Sequence, residues 1–339
     1  MTSTTVPQDR YEDLLRWMGS LDCQINDKIF IQESGNGIGY GAFVKDKVEK
    51  DEVLFTVPRS ACVTLDDAMN DAKCGKAFEA IMEKAGPGGN TVVLAGYLAK
   101  EYLVYLASDP WTTVEDSSTK FGPYLETLPW TRGTNQQEHV LFWSQDDAQN
   151  GLAGTFCYDE AMALRAEVDL AGKVMNGIIG PSILLARGDW PDEGGLWPWT
   201  KRKVEGPVDG VDEAIRGAFV SLLTRSFEDN SGSEVDENGF DNDGDDSEKL
   251  VPLLDMLQHS DEPNISHKMR LSDQTVEVRA RRAIEAGEEL MNQYRSEEDV
   301  SMPYHRFFTR FGFVPGIVEP VENLLKDESS ILFPKLAEV

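Results

Sequence analysis

The sequence predicts an α+β protein in which short β-rich segments at its two ends enclose a long helical middle. Three observations carry this. Two β-branched and aromatic runs, KIFIQ (28–32) and VLFTV (53–57), come early. A strict alternation comes late: Val276, Val278 and Ala280 stand between Thr275, Glu277, Arg279 and Arg281, the pattern of a half-buried strand. Between them, from about Leu65 to Arg225, the apolar period turns helical.

The first element is helical, because Tyr11, Leu14, Leu15 and Met18 fall at i, i+3, i+4 and i+7, and Gly19 and Ser20 end it. A glycine cluster, Gly35, Gly37, Gly39 and Gly41, separates the two early runs and fits a tight hairpin bend. Pro58 stops the second run, and ACVTL (61–65) follows as a further β-prone stretch. Helices are predicted over Thr91–Ala107, Tyr158–Ile178 and Val211–Phe227, with a Gly-, Pro- and Trp-rich loop at 194–200. Glu228 to Glu248 holds ten Asp or Glu among 21 residues and no Lys or Arg, so it reads as a solvated, disordered acidic loop. Its Asp241-Asn242-Asp243-Gly244-Asp245 run has the glycine two places too early for an EF-hand, which argues against a calcium loop. A last strand is expected over Glu288–Tyr294, followed by the aromatic run FFTRFGF (307–313) and a short, weakly amphipathic tail from Ile317. Sequence-distant β-segments are therefore expected to join one domain, with the helices as an insertion.

Charge narrows the function classes. Sixty acidic residues against 32 basic ones give a net charge of -28, which repels nucleic acid and anionic membrane and attracts basic protein segments. The longest apolar stretch, 91–107, is interrupted by Lys100 and Glu101 and reads as a buried helix, not a membrane span. Cys23, Cys62, Cys74 and Cys157 form no CxxC pair and have no histidine at zinc-finger spacing, so no metal site is expected and free thiols in a reducing compartment are the default. Met1 to Arg10 carries no signal- or transit-peptide pattern. The protein is expected to be intracellular, with cytoplasm, nucleus and plastid all open.

Four segments stand out in order: GIGYGAFV (37–44), LVPLLDMLQHSDEPN (250–264), Gly287-Glu288-Glu289-Leu290 followed by Tyr294, and Phe311-Gly312-Phe313. Together they resemble the signature of SET-domain protein methyltransferases. The segment Gln258 to Asn264 is similar to that family's Asn-His-Ser-Cys-x-Pro-Asn motif, and Tyr294 falls seven residues beyond Gly287 as in the family. The opening YEDLLRWMGS and the stretch FGPYLETLP (121–129) resemble the branch of the Rubisco large-subunit lysine methyltransferase and the actin histidine methyltransferase.

The resemblance implies a SET-domain β-fold of short sheets split by a large helical insertion. Residues 11–65 and 250–315 would be its two parts, 66–225 the insertion, 226–249 the acidic loop and 316–339 a tail. It further implies S-adenosyl-L-methionine as cofactor and a lysine of another protein as acceptor. The catalytic candidate is Tyr294. Gly39, Tyr40, Gly41, Arg225, Asp255, Gln258, His259 and Phe313 are candidates for cofactor binding. Phe227 and Phe311 are candidates for lining the acceptor channel; a bulky aromatic at Phe227 resembles the lysine-modifying members. Tyr304 is the fallback catalytic tyrosine.

The chemistry agrees with such residues. The cofactor carries the reactivity of methyl transfer, and the protein must align nucleophile, methyl and sulfur. A lysine amine with a free pKa of about 10.4 must lose a proton first, which a desolvated channel favours. Three departures from the family pattern stand out. Gln258 replaces an asparagine, and Phe311 stands where some relatives have tyrosine. The chain also ends soon after Phe313, where Rubisco-type relatives continue into a helical domain, so substrate choice would fall to the helical insertion or the acidic loop. Two alternatives follow: a catalytically inactive SET-fold module that binds basic proteins, suggested by Gln258, and a histidine methyltransferase.

Overall fold

The early and late β-segments meet in one sheet. The structure, a computed structural model, describes residues 7–35, 39–85, 88–107, 119–133, 138–187, 207–227, 248–270, 272–294, 303–314, 324–326 and 331–333. Helix α1 (Pro7–Ser20) leads into β1 (Gln24–Ile25), the hairpin strands β2 (Ile29–Glu33) and β3 (Tyr40–Val44), and β4 (Val53–Val57). Helices α2 (Leu65–Met69), α3 (Gly75–Ala85), α4 (Gly89–Ala107), α5 (Gly122–Leu125), α6 (Gln145–Gly151), α7 (Tyr158–Ala186) and α8 (Val211–Arg225) make up the middle. The chain then returns to strands β5 (Ser226–Phe227), β6 (Lys249–Leu250), β7 (Gln258–His259), β8 (Ile265–Arg270), β9 (Thr275–Ala280) and β10 (Met291–Asn292), before α9 (Tyr304–Phe311).

The four-stranded sheet has the order β1-β4-β9-β8, all antiparallel, with Phe55 opposite Val278 and Val57 opposite Val276. Its apolar face is built from the alternation visible in the sequence: Phe55, Val57 and Val278 are fully buried or nearly so. Strand β8 was not foreseen. Its sequence, ISHKMR, buries only Ile265 and Met269 of six residues, so no period-2 apolar pattern marks it. Pairing with β9 makes it a strand. The predicted strand over 288–294 is realised more briefly. Glu289 bridges Phe43 of β3, and only Met291–Asn292 forms a named strand, parallel to β7.

Helix α7 outruns its predicted end and continues through Pro181. A proline inside a helix forfeits a backbone bond, but Ile179 and Ile183 on either side are fully buried, and that burial carries the helix on. It is long and apolar enough to cross a membrane by length and composition, yet half of the relevant window is buried in the protein. The stretch ACVTL does not form a strand; Arg59–Ala61 makes a 3-10 turn and only Val63 bridges Leu250. The aromatic run 307–313 falls mostly on α9. All four cysteines are buried, and none of them is in a disulfide. Gly37, the loop at 194–200, the acidic run 228–247 and most of the tail lie outside the described residues.

Lys100 and Glu101, the two charges that interrupt α4, are 8% and 4% exposed. They survive there as a paired network. Lys100 Nζ lies 2.6 Å from Asp71 Oδ2 and 2.8 Å from Glu101 Oε1, and Thr119 donates to the other Glu101 oxygen. Burial opposes the Lys100 charge, but the combined pull of Glu101 and Asp71 outweighs it and holds the ammonium above its ordinary value. These residues line a polar depression of about 730 Å³ with Arg59, Asp66, Asp67, Tyr97 and Lys120.

Candidate active site

The hairpin β2–β3 is the first wall. Gly39 has φ +105°, a backbone conformation open to glycine and costly for other residues, and its carbonyl accepts the Ser34 N–H at 2.8 Å. At Gly41 the constraint is space. A Cβ there would stand 2.1 Å from Glu289 Oε1 and 2.7 Å from Ser34 Oγ. Ser34 itself donates to Glu289 Oε1 at 2.5 Å. Burial raises the Glu289 carboxyl above its ordinary value, opposed by the Ser34 bond. Gly41→Ala is therefore expected to break the Ser34–Glu289 contact and shift the hairpin, at a cost of about 1–3 kcal/mol typical of overpacking. The check is thermal denaturation together with calorimetric titration of S-adenosylhomocysteine.

The second wall comes from the segment after β6. Leu253 has φ +72° and ψ -43°, a strained conformation for a residue with a side chain. It opens the short 3-10 turn Leu254–Met256 and places Asp255 in the interior at 5% exposure. Asp255 Oδ2 lies 3.8 Å from Arg225 Nη1 at the end of α8, and it accepts the Tyr124 hydroxyl at 2.7 Å. Three residues on, Gln258 Nε2 donates to the Tyr40 carbonyl at 3.2 Å, so the amide that departs from the family asparagine ties this segment to the hairpin. From the other side, Tyr11 of α1 lies against Tyr40 with centroids 4.5 Å apart, and the Arg10 guanidinium covers both rings.

The third wall is aromatic. Tyr294 donates its hydroxyl to the Leu257 carbonyl at 2.8 Å, and its backbone N–H reaches His259 Nδ1 at 3.2 Å. His259 Nε2 is 3.3 Å from Asp261 Oδ1. The Tyr294 ring packs on His259 at 5.2 Å, Phe311 at 5.3 Å and Phe313 at 6.4 Å, and Phe307 fills the space among the last three. Burial pushes the Tyr294 phenol up to about 12, with Arg225 working against it and Asp255 and Glu289 adding to it. Arg225, Asp255 and Glu289 are thus near enough for their charges to act on the Tyr294 phenol. Asn264 holds the frame, donating to the Glu289 carbonyl and accepting from the Met291 N–H, each at 2.7 Å.

Gly39, Tyr40, Gly41, Arg225, Asp255, Gln258, His259, Tyr294, Phe311 and Phe313 are thus drawn into one locus from five separate stretches of chain. Phe227 stands slightly apart: its ring meets His267 edge-on at 5.2 Å, and its strand pairs with β6. Tyr304 is half exposed at the start of α9 and away from the cluster. Sequence reasoning left out Tyr11, Tyr124, Glu289 and Phe307 as individual site residues. Each lay in a segment already singled out, but nothing in periodicity separates a core aromatic from one that faces a site. Among the described residues no group of three or more His, Cys, Asp or Glu side chains is placed to share a metal ion.

This arrangement of a glycine hairpin, a His-bearing strand paired with the strand that leads to Tyr294, and the tyrosine itself is that of a SET domain. The family model for the SET domain matches residues 39–295, and the chain belongs to that family. Among curated proteins it is similar to N-lysine methyltransferase setd6 of Salmo salar, 24% identical over 327 residues that cover 96% of this chain and 61% of the relative. The Danio rerio protein of the same name is 24% identical, over 96% of this chain and 60% of its own length. The chain thus spans roughly three fifths of these relatives. The same fold is found in the SET domain of LSMT bound to lysine and AdoHcy, with a TM-score of 0.61 and 14% identity over 91% of this chain and 58% of that one. It is found again in Rubisco LSMT bound to AdoMet, with a TM-score of 0.60 and 14% identity over 91% and 57% of the two chains.

Proposed function

We propose that the protein transfers a methyl group from S-adenosylmethionine to a lysine side chain of another protein. The observation that carries this reading is the convergence just described: the Gly39–Gly41 hairpin, the Arg225–Asp255 pair and the Tyr294 hydroxyl gather at one place. The donor set suits the cofactor. A guanidinium fits its carboxylate by a charge-assisted contact, a carboxylate fits its ammonium, and a hairpin without side chains admits its body closely. When bound, that cofactor supplies an electrophilic methyl on sulfonium.

The chain's own residues align and desolvate. With its proton given to Leu257 O, the Tyr294 oxygen keeps lone pairs for weak CH···O contacts to an electron-poor methyl. A phenol held near 12 stays protonated at neutral pH, so Tyr294 positions and does not serve as the base. The aromatic wall of Phe307, Phe311 and Phe313 excludes water and disfavours the ammonium form of an entering lysine. Phe227, two residues beyond Arg225, is bulky and aromatic as in the lysine-modifying members that the chain resembles, which favours lysine over imidazole. Gln258, the residue that suggests a binding-only module, donates its amide to the Tyr40 carbonyl and so helps to hold the hairpin. The net charge of -28 favours acceptors in basic segments, and four cysteines outside any disulfide favour an intracellular setting.

The test is incubation with labelled S-adenosylmethionine and a protein extract, followed by hydrolysis of the labelled band. Methyl-lysine is expected. Methyl-histidine, or no transfer at all, would refute the reading.

A further inference from the structure

The family motif residues do not account for how Asp255 is held. Its carboxylate is held by two groups from two elements: Arg225 at the end of α8 and Tyr124 on α5. Tyr124 is fully buried, and its ring is stacked on Trp17 of α1 with the planes 9° apart. Trp17 in turn is fixed by its indole N–H, which donates to the Lys120 carbonyl at 2.9 Å. The phenol therefore has no freedom to swing away, and its one hydrogen bond goes to Asp255 Oδ2, the oxygen that also faces Arg225.

We propose that Tyr124 is a positioning residue for cofactor capture, its buried hydroxyl fixing the Asp255 carboxylate against Arg225 so that both charges stand preset for the zwitterionic end of the methyl donor. This rests on the methyl-transfer reading above. A buried carboxylate left to itself takes up a proton, because desolvation penalises the charged form. Burial is the largest influence on Asp255 and lifts its carboxyl to about 6, while Arg225 and the Tyr124 hydrogen bond pull it back. Removing the Tyr124 hydroxyl takes away one of those restraints. The carboxyl titration moves upward, and more of the protein carries a neutral Asp255 at pH 7. The donor bears an ammonium and a sulfonium, so binding requires the ionised carboxylate and weakens as pH falls through its titration.

The experiment uses the whole chain and S-adenosylhomocysteine as probe, titrated by calorimetry from pH 5 to 8, with Tyr124→Phe beside the wild type. Wild-type affinity is expected to rise with pH through a step near 6. In Tyr124→Phe the step should move to higher pH, so that with an upward shift of about one unit affinity falls about twofold at pH 7 and about tenfold near pH 5. KM for S-adenosylmethionine should rise by the same factor with kcat within twofold. Asp255→Asn should abolish the step, and it decides the question if Tyr124→Phe does not fold. A folded Tyr124→Phe with the wild-type step and affinity, or a step that persists in Asp255→Asn, overturns the positioning role while leaving methyl transfer intact. A wild type that binds no S-adenosylhomocysteine at any pH overturns the methyl-transfer reading, and the positioning role falls with it.

Discussion

Tyr294→Phe is expected to fold as the wild type does, to keep most of its cofactor affinity, and to lose on the order of 10²-fold in kcat, the cost of a slightly misplaced reacting group. The ring makes the packing contacts with His259, Phe311 and Phe313, and phenylalanine preserves them. The hydroxyl makes one hydrogen bond, to Leu257 O, and its loss leaves a carbonyl short of one partner, a modest penalty of about 1–3 kcal/mol. Stability should therefore fall a little and turnover greatly. Single-turnover methyl transfer, read beside a calorimetric titration of cofactor, separates the two. A variant that transferred methyl groups at the wild-type rate would remove Tyr294 from the chemistry. The rate should also show no inflection from this phenol below about pH 11, since its titration lies near 12.

Lys100→Met is expected to be the most damaging single change outside the site, at about 3–5 kcal/mol, the range for breaking a buried ion pair from one side. The ammonium serves Asp71 at 2.6 Å and Glu101 at 2.8 Å and lies 5.7 Å from the Tyr97 ring centre. Without it two carboxylates face each other across a low-dielectric interior. Asp71 retains the N–H groups of Lys73 and Cys74, at 3.0 and 2.7 Å, while Glu101 keeps only the Thr119 hydroxyl among the bonds described. Adding Glu101→Gln to Lys100→Met should therefore recover a good part of the loss, a non-additivity that equilibrium denaturation of the two single variants and the double variant would measure. Additive effects would show that the network is not acting as a unit.

Much of this was legible in the sequence, for identifiable reasons. The alternation at 275–280 gave a strand because one face of it is buried, and the early VLFTV run gave its partner. The gathering of Gly39 to Gly41 with Gln258, His259 and Tyr294 was implied by family resemblance alone; no periodicity places a hairpin at residue 40 beside a strand at residue 258. Strand β8 was hidden because pairing, not burial, makes it extended. The run through Pro181 was hidden because tertiary burial of Ile179 and Ile183 overrides a local penalty. Tyr124 lies within the stretch that carries the family resemblance, but nothing local marks it as a partner of Asp255, 131 positions away. The sequence marks Lys100 and Glu101 as charges on a buried helix, but Asp71, the second carboxylate that pairs with Lys100, sits on a separate turn that no pattern on α4 reveals.

The pairing of β4 with β9 has a consequence for how the molecule is made. During synthesis the strand at 53–57 leaves the ribosome long before the strand at 275–280 exists, so its β9-facing edge has no native neighbour while the helical segment emerges. Closing so long a loop costs entropy that the helices, whose contacts are nearer in sequence, do not pay. The helical middle is thus placed to organise first, and the two halves of the site to be clasped last, leaving the VLFTV edge the segment most in need of chaperone shelter in the nascent chain.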